Sequence, residues 1–145
     1  MNKSTCVALS AALGGTLVLG MATDSHAATP IRVKALSTAA AQKGDPYKSG
    51  AEGPNAFDCS GLTYYSFKKN GKTLPRTAQA QYNKSTKISA SKRTKGDLVF
   101  FGGANSIYHV GIYAGSGYIW HSPKPGERVK KVKLWTSSVR YGRIG

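Results

Sequence analysis

The chain has 145 residues, 40% of them hydrophobic, and its 21 lysines and arginines against six acidic residues give a formal charge of +15. This length allows one domain with a modest core and excludes a multidomain enzyme, while the hydrophobic content excludes a disordered polyelectrolyte. With two cysteines in all, Cys6 and Cys59, a disulfide-stapled scaffold is excluded as well.

Residues 1–27 carry Lys3, then an apolar stretch over 7–21, then the small-residue run Ser25-His26-Ala27-Ala28. That pattern predicts an export signal cleaved near Ala27. The apolar stretch is shorter than the ~20 residues a spanning helix needs, so no stable membrane anchor is expected. Cys6 precedes the apolar stretch, where lipoprotein processing does not leave a cysteine at the mature end, and it is expected to leave with the signal. A helical segment follows over 28–45, with its helix near 31–43, and the remaining 46–145 read as a single domain.

Cys59 is then the sole thiol of the exported chain. Its neighbours Asp58, Ser60 and Gly61 suit a core position poorly, and the apolar helical pattern begins only with Leu62, Tyr65 and Phe67. A helix over 59–70 places Cys59 in the first turn, where free backbone N–H groups and the helix dipole favour an anion. The sequence therefore predicts a reactive cysteine with its thiol pKa drawn down. Leu74-Pro75-Arg76-Thr77 follows, with a turn proline, a hydroxyl able to cap a short helix through Tyr82, and an arginine placed to brace the fold. The apolar run 97–101 reads as a buried strand whose Asp97 satisfies backbone donors at the strand entry. Further strands are expected at 108–114, 117–121, 128–134 and 139–144.

The spacing of His109 and His121 predicts a hairpin symmetric about Gly115. Such a hairpin pairs Tyr113 with Gly117, Val110 with Trp120 and His109 with His121, so that the imidazoles stand opposite each other on one face. A two-residue loop destroys that register, because a one-residue slip sends alternate side chains to opposite faces. His109 is expected to take the proton from Cys59 and return it to a leaving amine, while His121 fixes its tautomer and orientation. Zinc binding is disfavoured, since neither C-x-x-C nor H-E-x-x-H is present, and no glycine-rich phosphate loop supports nucleotide hydrolysis. No cofactor is expected.

Asp58-Cys59-Ser60-Gly61-Leu62, His109-Val110-Gly111-Ile112-Tyr113, His121, Tyr47, the Leu74 to Thr77 segment and Gly96-Asp97-Leu98-Val99-Phe100-Phe101 together resemble the NlpC/P60 family of cell-wall cysteine peptidases. The resemblance implies an α+β, papain-like fold, with N-terminal helices, the catalytic Cys59 at a helix N-terminus, and an antiparallel sheet carrying both histidines. A histidine in the orienting position, where other cysteine peptidases carry Asn or Asp, is common in that family. The resemblance also implies that Tyr47, Asp58 and Ser60 line the pocket for the acyl side of a peptidoglycan stem peptide, with Asp58 and Ser60 alternatively serving as helix caps. The activity it implies is hydrolysis of the γ-D-glutamyl bond to a diamino acid, with a D,D-cross-link peptidase or an N-acetylmuramoyl-L-alanine amidase as the enzymatic alternatives.

Charge supplies the remaining signal. Lys68, Lys69 and Lys72, then Lys92, Arg93 and Lys95, then Arg128, Lys130, Lys131 and Lys133 form basic clusters. In an exported protein these clusters are expected to be attracted to anionic wall polymers. The reading of a different class is a basic wall- or nucleic-acid-binding module using Tyr64, Tyr65, Trp120 and Trp135, but no nucleic-acid motif accompanies those residues. The expected place of action is secreted or wall-associated.

Overall fold

A computed structural model describes residues 28–145; the expected export signal, with Cys6, lies outside the described residues. Among the described residues three helices come first: α1 (Ile31–Ala41), α2 (Cys59–Lys68) and α3 (Ala78–Lys84). Six strands follow: β1 (Thr86–Ile88), β2 (Leu98–Gly103), β3 (Ser106–Gly115), β4 (Tyr118–His121), β5 (Lys130–Lys133) and β6 (Val139–Arg143). They form one antiparallel sheet in the order β1-β6-β2-β3-β4-β5. Helices before strands and an antiparallel sheet make the α+β class expected from the sequence. The short edge strand β1 is absent from the expectation, because three residues reading Thr-Lys-Ile carry too little periodicity to register.

The run 98–101 is buried throughout because the sheet is covered on both faces. Leu98 and Phe100 join Ala35, Ala39, Leu62, Phe67, Val110 and Ile112 in the cluster under the helices. Val99 and Phe101 join Tyr113, Ile119 and Tyr141 on the opposite face. Each such large side chain taken fully out of water contributes about 1.5–3 kcal/mol. Ala35 and Ala39, four residues apart on α1 and fully buried, present no bulk on the face of the helix that meets the cluster.

Asp97 is fully buried at the entry to β2 and accepts from the Thr94 N–H at 2.7 Å, as the sequence suggests. It also receives a two-pronged bond from Arg143, Nε to Oδ1 at 2.8 Å and Nη2 to Oδ2 at 2.9 Å. This ties the end of β6 to the start of β2. The Asp97 end of this clamp is buried and the Arg143 end is partly exposed, and Arg32 approaches the same carboxylate at 3.7 Å. α3 is capped by Thr77, whose hydroxyl accepts from the Ala80 N–H. Its buried Gln81 donates to the carbonyls of Ser60 and Pro75 and accepts from the Thr63 hydroxyl, fixing the first turn of α2 from behind.

The hairpin departs from the expected register. β3 and β4 pair Ile112 with Trp120 and Tyr113 with Ile119, which puts Gly111, not His109, opposite His121. The turn is the two-residue Ser116-Gly117, both at positive φ (54° and 83°), a conformation suited to tight hairpins. At the turn Tyr118 pairs with Gly115 and not with Ile112, a shift of three residues, and a bulge between Tyr113 and Gly115 takes one residue back to leave an even shift of two. The parity of the strand survives, and both histidines still share one face, displaced by two residues along the diagonal. Gly111 makes that diagonal usable: a Cβ there would lie 3.3 Å from the His121 Cβ and 3.0 Å from the Trp120 carbonyl.

Candidate active site

Cys59 opens α2, and the chain before it is shaped to hold the helix end in place. Asp58 is the N-cap in extended conformation, and its Oδ1 accepts from the Gly61 N–H at 2.6 Å. Gly61 sits so close to the Ala51 carbonyl that any Cβ would collide with it. The other Asp58 oxygen accepts from the Gly50 N–H at 2.9 Å and from Arg76 Nη2 at 2.8 Å. Arg76 also donates to the Ser60 hydroxyl at 2.8 Å and to Glu52 at 3.0 Å. The bracing role expected of Arg76 is thus visible: it joins Asp58, Ser60 and Glu52 into one network. Asp58 caps the helix and meets a guanidinium at once.

The structure brings Tyr47 to the same place. Its phenol pKa is raised by burial and by the charges of Cys59 and Asp58, against an opposing pull from Arg76. A backbone N–H from Val110 on β3 is directed at the Cys59 sulfur, which seats the thiol against the residue next to His109. β4 stops at His121, so past that point the edge of β3 lies open to α2.

The histidines reach this edge from the sheet face opposite the helices. His109 is the strand partner of Phe101, with ring centroids 5.1 Å apart. His109 Nε2 and His121 Nδ1 are hydrogen-bonded at 2.9 Å, and both residues are buried. His109 Nδ1 is therefore the ring nitrogen that takes no part in the pair, and His121 Nε2 is buried without a partner.

Electrostatics correct one expectation from the sequence. Burial pushes the Cys59 thiol up, and the backbone N–H groups of Val110, Ser60 and Cys59 offset only part of that rise. Burial likewise pulls His109 and His121 down, each to about 4. The helix terminus does act on the sulfur, but desolvation outweighs it, because the first turn of α2 is packed beneath α3 and against β3. Both shifts favour the uncharged forms, the thiol at Cys59 and the imidazole at each histidine. Among the described residues, no group of three or more His, Cys, Asp or Glu is placed to hold a metal ion.

Sequence reasoning missed Glu52, Tyr108 and Lys124, which line the ground around these groups. Glu52 is reached only through Arg76, and Tyr108 and Lys124 flank the histidines without any motif of their own.

Helices leading into an antiparallel sheet, with a cysteine at a helix start and histidines on the adjoining strands, form the papain-like architecture that the sequence resembles. Residues 44–142 match the model of the NlpC/P60 family, and the chain belongs to that family. It is 47% identical over 109 residues to the bifunctional muramidase/DL-endopeptidase CwlT of Bacillus subtilis, an alignment covering 70% of this chain and 33% of that protein. The chain thus spans about one third of that relative's length. The NlpC/p60 domain of the peptidoglycan hydrolase SagA superimposes with a TM-score of 0.73 at 33% identity, covering 78% of this chain and 98% of that domain. RipD of Mycobacterium tuberculosis, described as a non-catalytic NlpC/p60 domain protein adapted to peptidoglycan binding, matches with a TM-score of 0.69 at 25% identity, covering 81% of this chain and 99% of that one. Both hydrolases and a non-catalytic binder therefore share this fold. No described helix is long and apolar enough to cross a membrane.

Proposed function

We propose that this protein is a secreted cysteine endopeptidase that hydrolyses an amide bond in peptidoglycan stem peptides, the γ-D-glutamyl bond to a diamino acid. The observation that carries this reading is the 2.9 Å bond between His109 Nε2 and His121 Nδ1, which commits one imidazole to orienting the other beside Cys59. A purely structural histidine pair has no need of a thiol seated against Val110, the strand residue next to His109. The name DL-endopeptidase of a relative supports the choice of bond.

In this mechanism His109 holds its own proton on Nε2, donated to His121, and offers Nδ1 as the base. Cys59 Sγ attacks the carbonyl carbon as its proton passes to Nδ1, and the oxyanion is met by the Cys59 backbone N–H and the Tyr47 phenol. The C–N bond then breaks as the imidazolium protonates the leaving amine, and the acyl group remains on sulfur as a thioester. Water attacks the thioester, giving one proton to His109, which returns it to the departing thiolate. The lowered values leave His109 unprotonated at neutral pH, and proton transfer from the thiol is driven by its coupling to attack on the carbonyl carbon. Asp58 and Ser60, held by Arg76, shape the acyl side.

Mass spectrometry of products from defined muropeptides tests the reading. The expected result is two fragments that together gain one water, split between the D-glutamyl residue and the diamino acid. A split at the D,D-cross-link or at the muramoyl amide would move the assignment to one of the enzymatic alternatives. Intact substrate with retained peptidoglycan binding would favour a binding module, the role given to RipD.

The basic clusters are proposed to concentrate the enzyme on anionic walls. Retention on intact walls should therefore fall as salt is raised from low concentration to ~0.15 M, where the screening length is about 8 Å. Cleavage of a small soluble muropeptide should change much less over the same range. Salt-independent retention would rule out the electrostatic account.

A further inference from the structure

The histidine pair has a second side. A depression of about 330 Å³ is lined by Tyr108, His109, His121, Pro123, Lys124 and Trp135, and it shares none of Tyr47, Asp58, Ser60 or Arg76. The acyl half of the substrate is assigned to Tyr47, Asp58 and Ser60, braced by Arg76, and in the proposed mechanism His109 must protonate the leaving amine. A depression that opens on His109 from elsewhere is therefore placed for the leaving half. Its volume is sufficient for an amino-acid residue.

Two of the walls are aromatic side chains that touch the sheet. Trp135 is 59% exposed, yet it stacks on the buried Phe101 with centroids 4.9 Å apart and planes at 16°, and it leans on His121 at 5.6 Å. Tyr108, 74% exposed, lies 6.4 Å from the same Phe101 ring. Two large aromatic side chains held open to solvent by one buried ring form a clamp for an aliphatic chain.

The rim is cationic. Lys124 lies 3.6 Å from one oxygen of Glu127, whose other oxygen is held by Lys130 at 2.6 Å. Two ammonium groups thus share one carboxylate. The Lys124 side chain is 71% exposed, so its contact with Glu127 is weak and easily exchanged. None of the residues lining the depression is acidic.

Resting on the peptidase reading, we propose that this depression is the leaving-group subsite, in which Trp135 and Tyr108 flank the side chain of the diamino acid and Lys124 pairs with a carboxylate that the diamino acid carries. Two carboxylates can meet this description: one at the far end of a dicarboxylic diamino acid, or the α-carboxylate where the stem peptide ends at that residue. Both present the same chemistry to Lys124, and an amide in place of either removes it.

The test uses stem tripeptides whose leaving residue is a 2,6-diamino dicarboxylic acid, prepared as the free acid, as the side-chain amide and as the α-amide. Binding to the Cys59→Ala protein is followed by calorimetry, and hydrolysis by the wild type is followed in parallel. The free acid should bind about two- to fivefold more tightly than one of the two amides, the range of an exposed ion pair, and the amide that loses affinity identifies the carboxylate used. Adding Lys124→Gln to Cys59→Ala should bring the acid down to the affinity of that amide, and Lys124→Arg should restore the preference. Trp135→Ala should weaken acid and amides alike. In the wild type the discrimination should appear mainly in KM.

Equal binding of all three peptides, or a preference that survives Lys124→Gln, would overturn the subsite. Hydrolysis of acid and amides at equal kcat/KM would overturn it too while leaving the peptidase reading standing. Discrimination in binding without any hydrolysis by the wild type would keep the subsite and overturn the peptidase reading.

Discussion

Cys59→Ala should abolish muropeptide hydrolysis without unfolding the protein, and His109→Ala should lower kcat by about 10²–10⁴-fold, the usual contribution of a positioned acid-base group. The pH profile carries more information than either loss. Burial holds His109 at about 4 and lifts the Cys59 thiol, so the reactive state is a neutral pair that exchanges a proton during attack. His109 is in its base form above pH 4 and protonated below it. The value of kcat/KM should therefore stay level from about pH 5.5 to 8 and fall as pH drops through about 4. A fall centred on 6.5, the ordinary histidine value, would show that burial does not govern this site.

Folding must be followed alongside activity. Between pH 6.5 and 4 the unfolded chain takes up protons at both histidines while the folded chain does not, so stability is full above 6.5 and declines through that window. Circular dichroism at each pH separates the two causes. Alkylation of Cys59 by iodoacetamide gives a readout independent of substrate: it should be slower in His109→Ala, because the buried thiol loses its base. Equal rates in the two proteins would mean that His109 does not serve the sulfur.

The cysteine, the histidines and the capping aspartate were legible because each stands in a local pattern: an N-cap before an apolar helical stripe, and two histidines flanking a glycine turn. What escaped the sequence was set by tertiary packing. A bulge is one residue long and leaves no periodic trace, so the hairpin register was two residues away from expectation although the shared face was correct. The direction of the thiol shift depended on how deeply the first turn of α2 is packed, and the helix dipole alone points the other way. Asp97 read as a backbone acceptor, but its partner Arg143 lies 46 residues on, beyond the reach of any local pattern. The same distance effect hid the rim formed by Tyr108, Lys124 and Trp135, which only the sheet assembles.

His121 provides the second large effect. It touches no reacting atom in the proposed mechanism and acts as a positioning residue, accepting from His109 Nε2 through its own Nδ1. Its remaining nitrogen, Nε2, is buried without a partner. An unpaired buried donor costs about 1–3 kcal/mol, so this side chain is poorly suited to stability and well suited to fixing a tautomer. His121→Ala should lower kcat by roughly 10²-fold, the scale of a small misplacement of a catalytic group, with little change in KM for the acyl-side contacts. His121→Asn separates orientation from bulk: its side-chain carbonyl offers an acceptor to His109 and removes the unpaired Nε2 donor. That variant should recover a large part of the lost kcat and be at least as resistant to urea as His121→Ala. An Asn variant as slow as the Ala variant, with both folded, would show that an acceptor at this position does not set the His109 tautomer. His109 would then have to be oriented through its contact with Phe101, and Phe101→Leu would become the more damaging change.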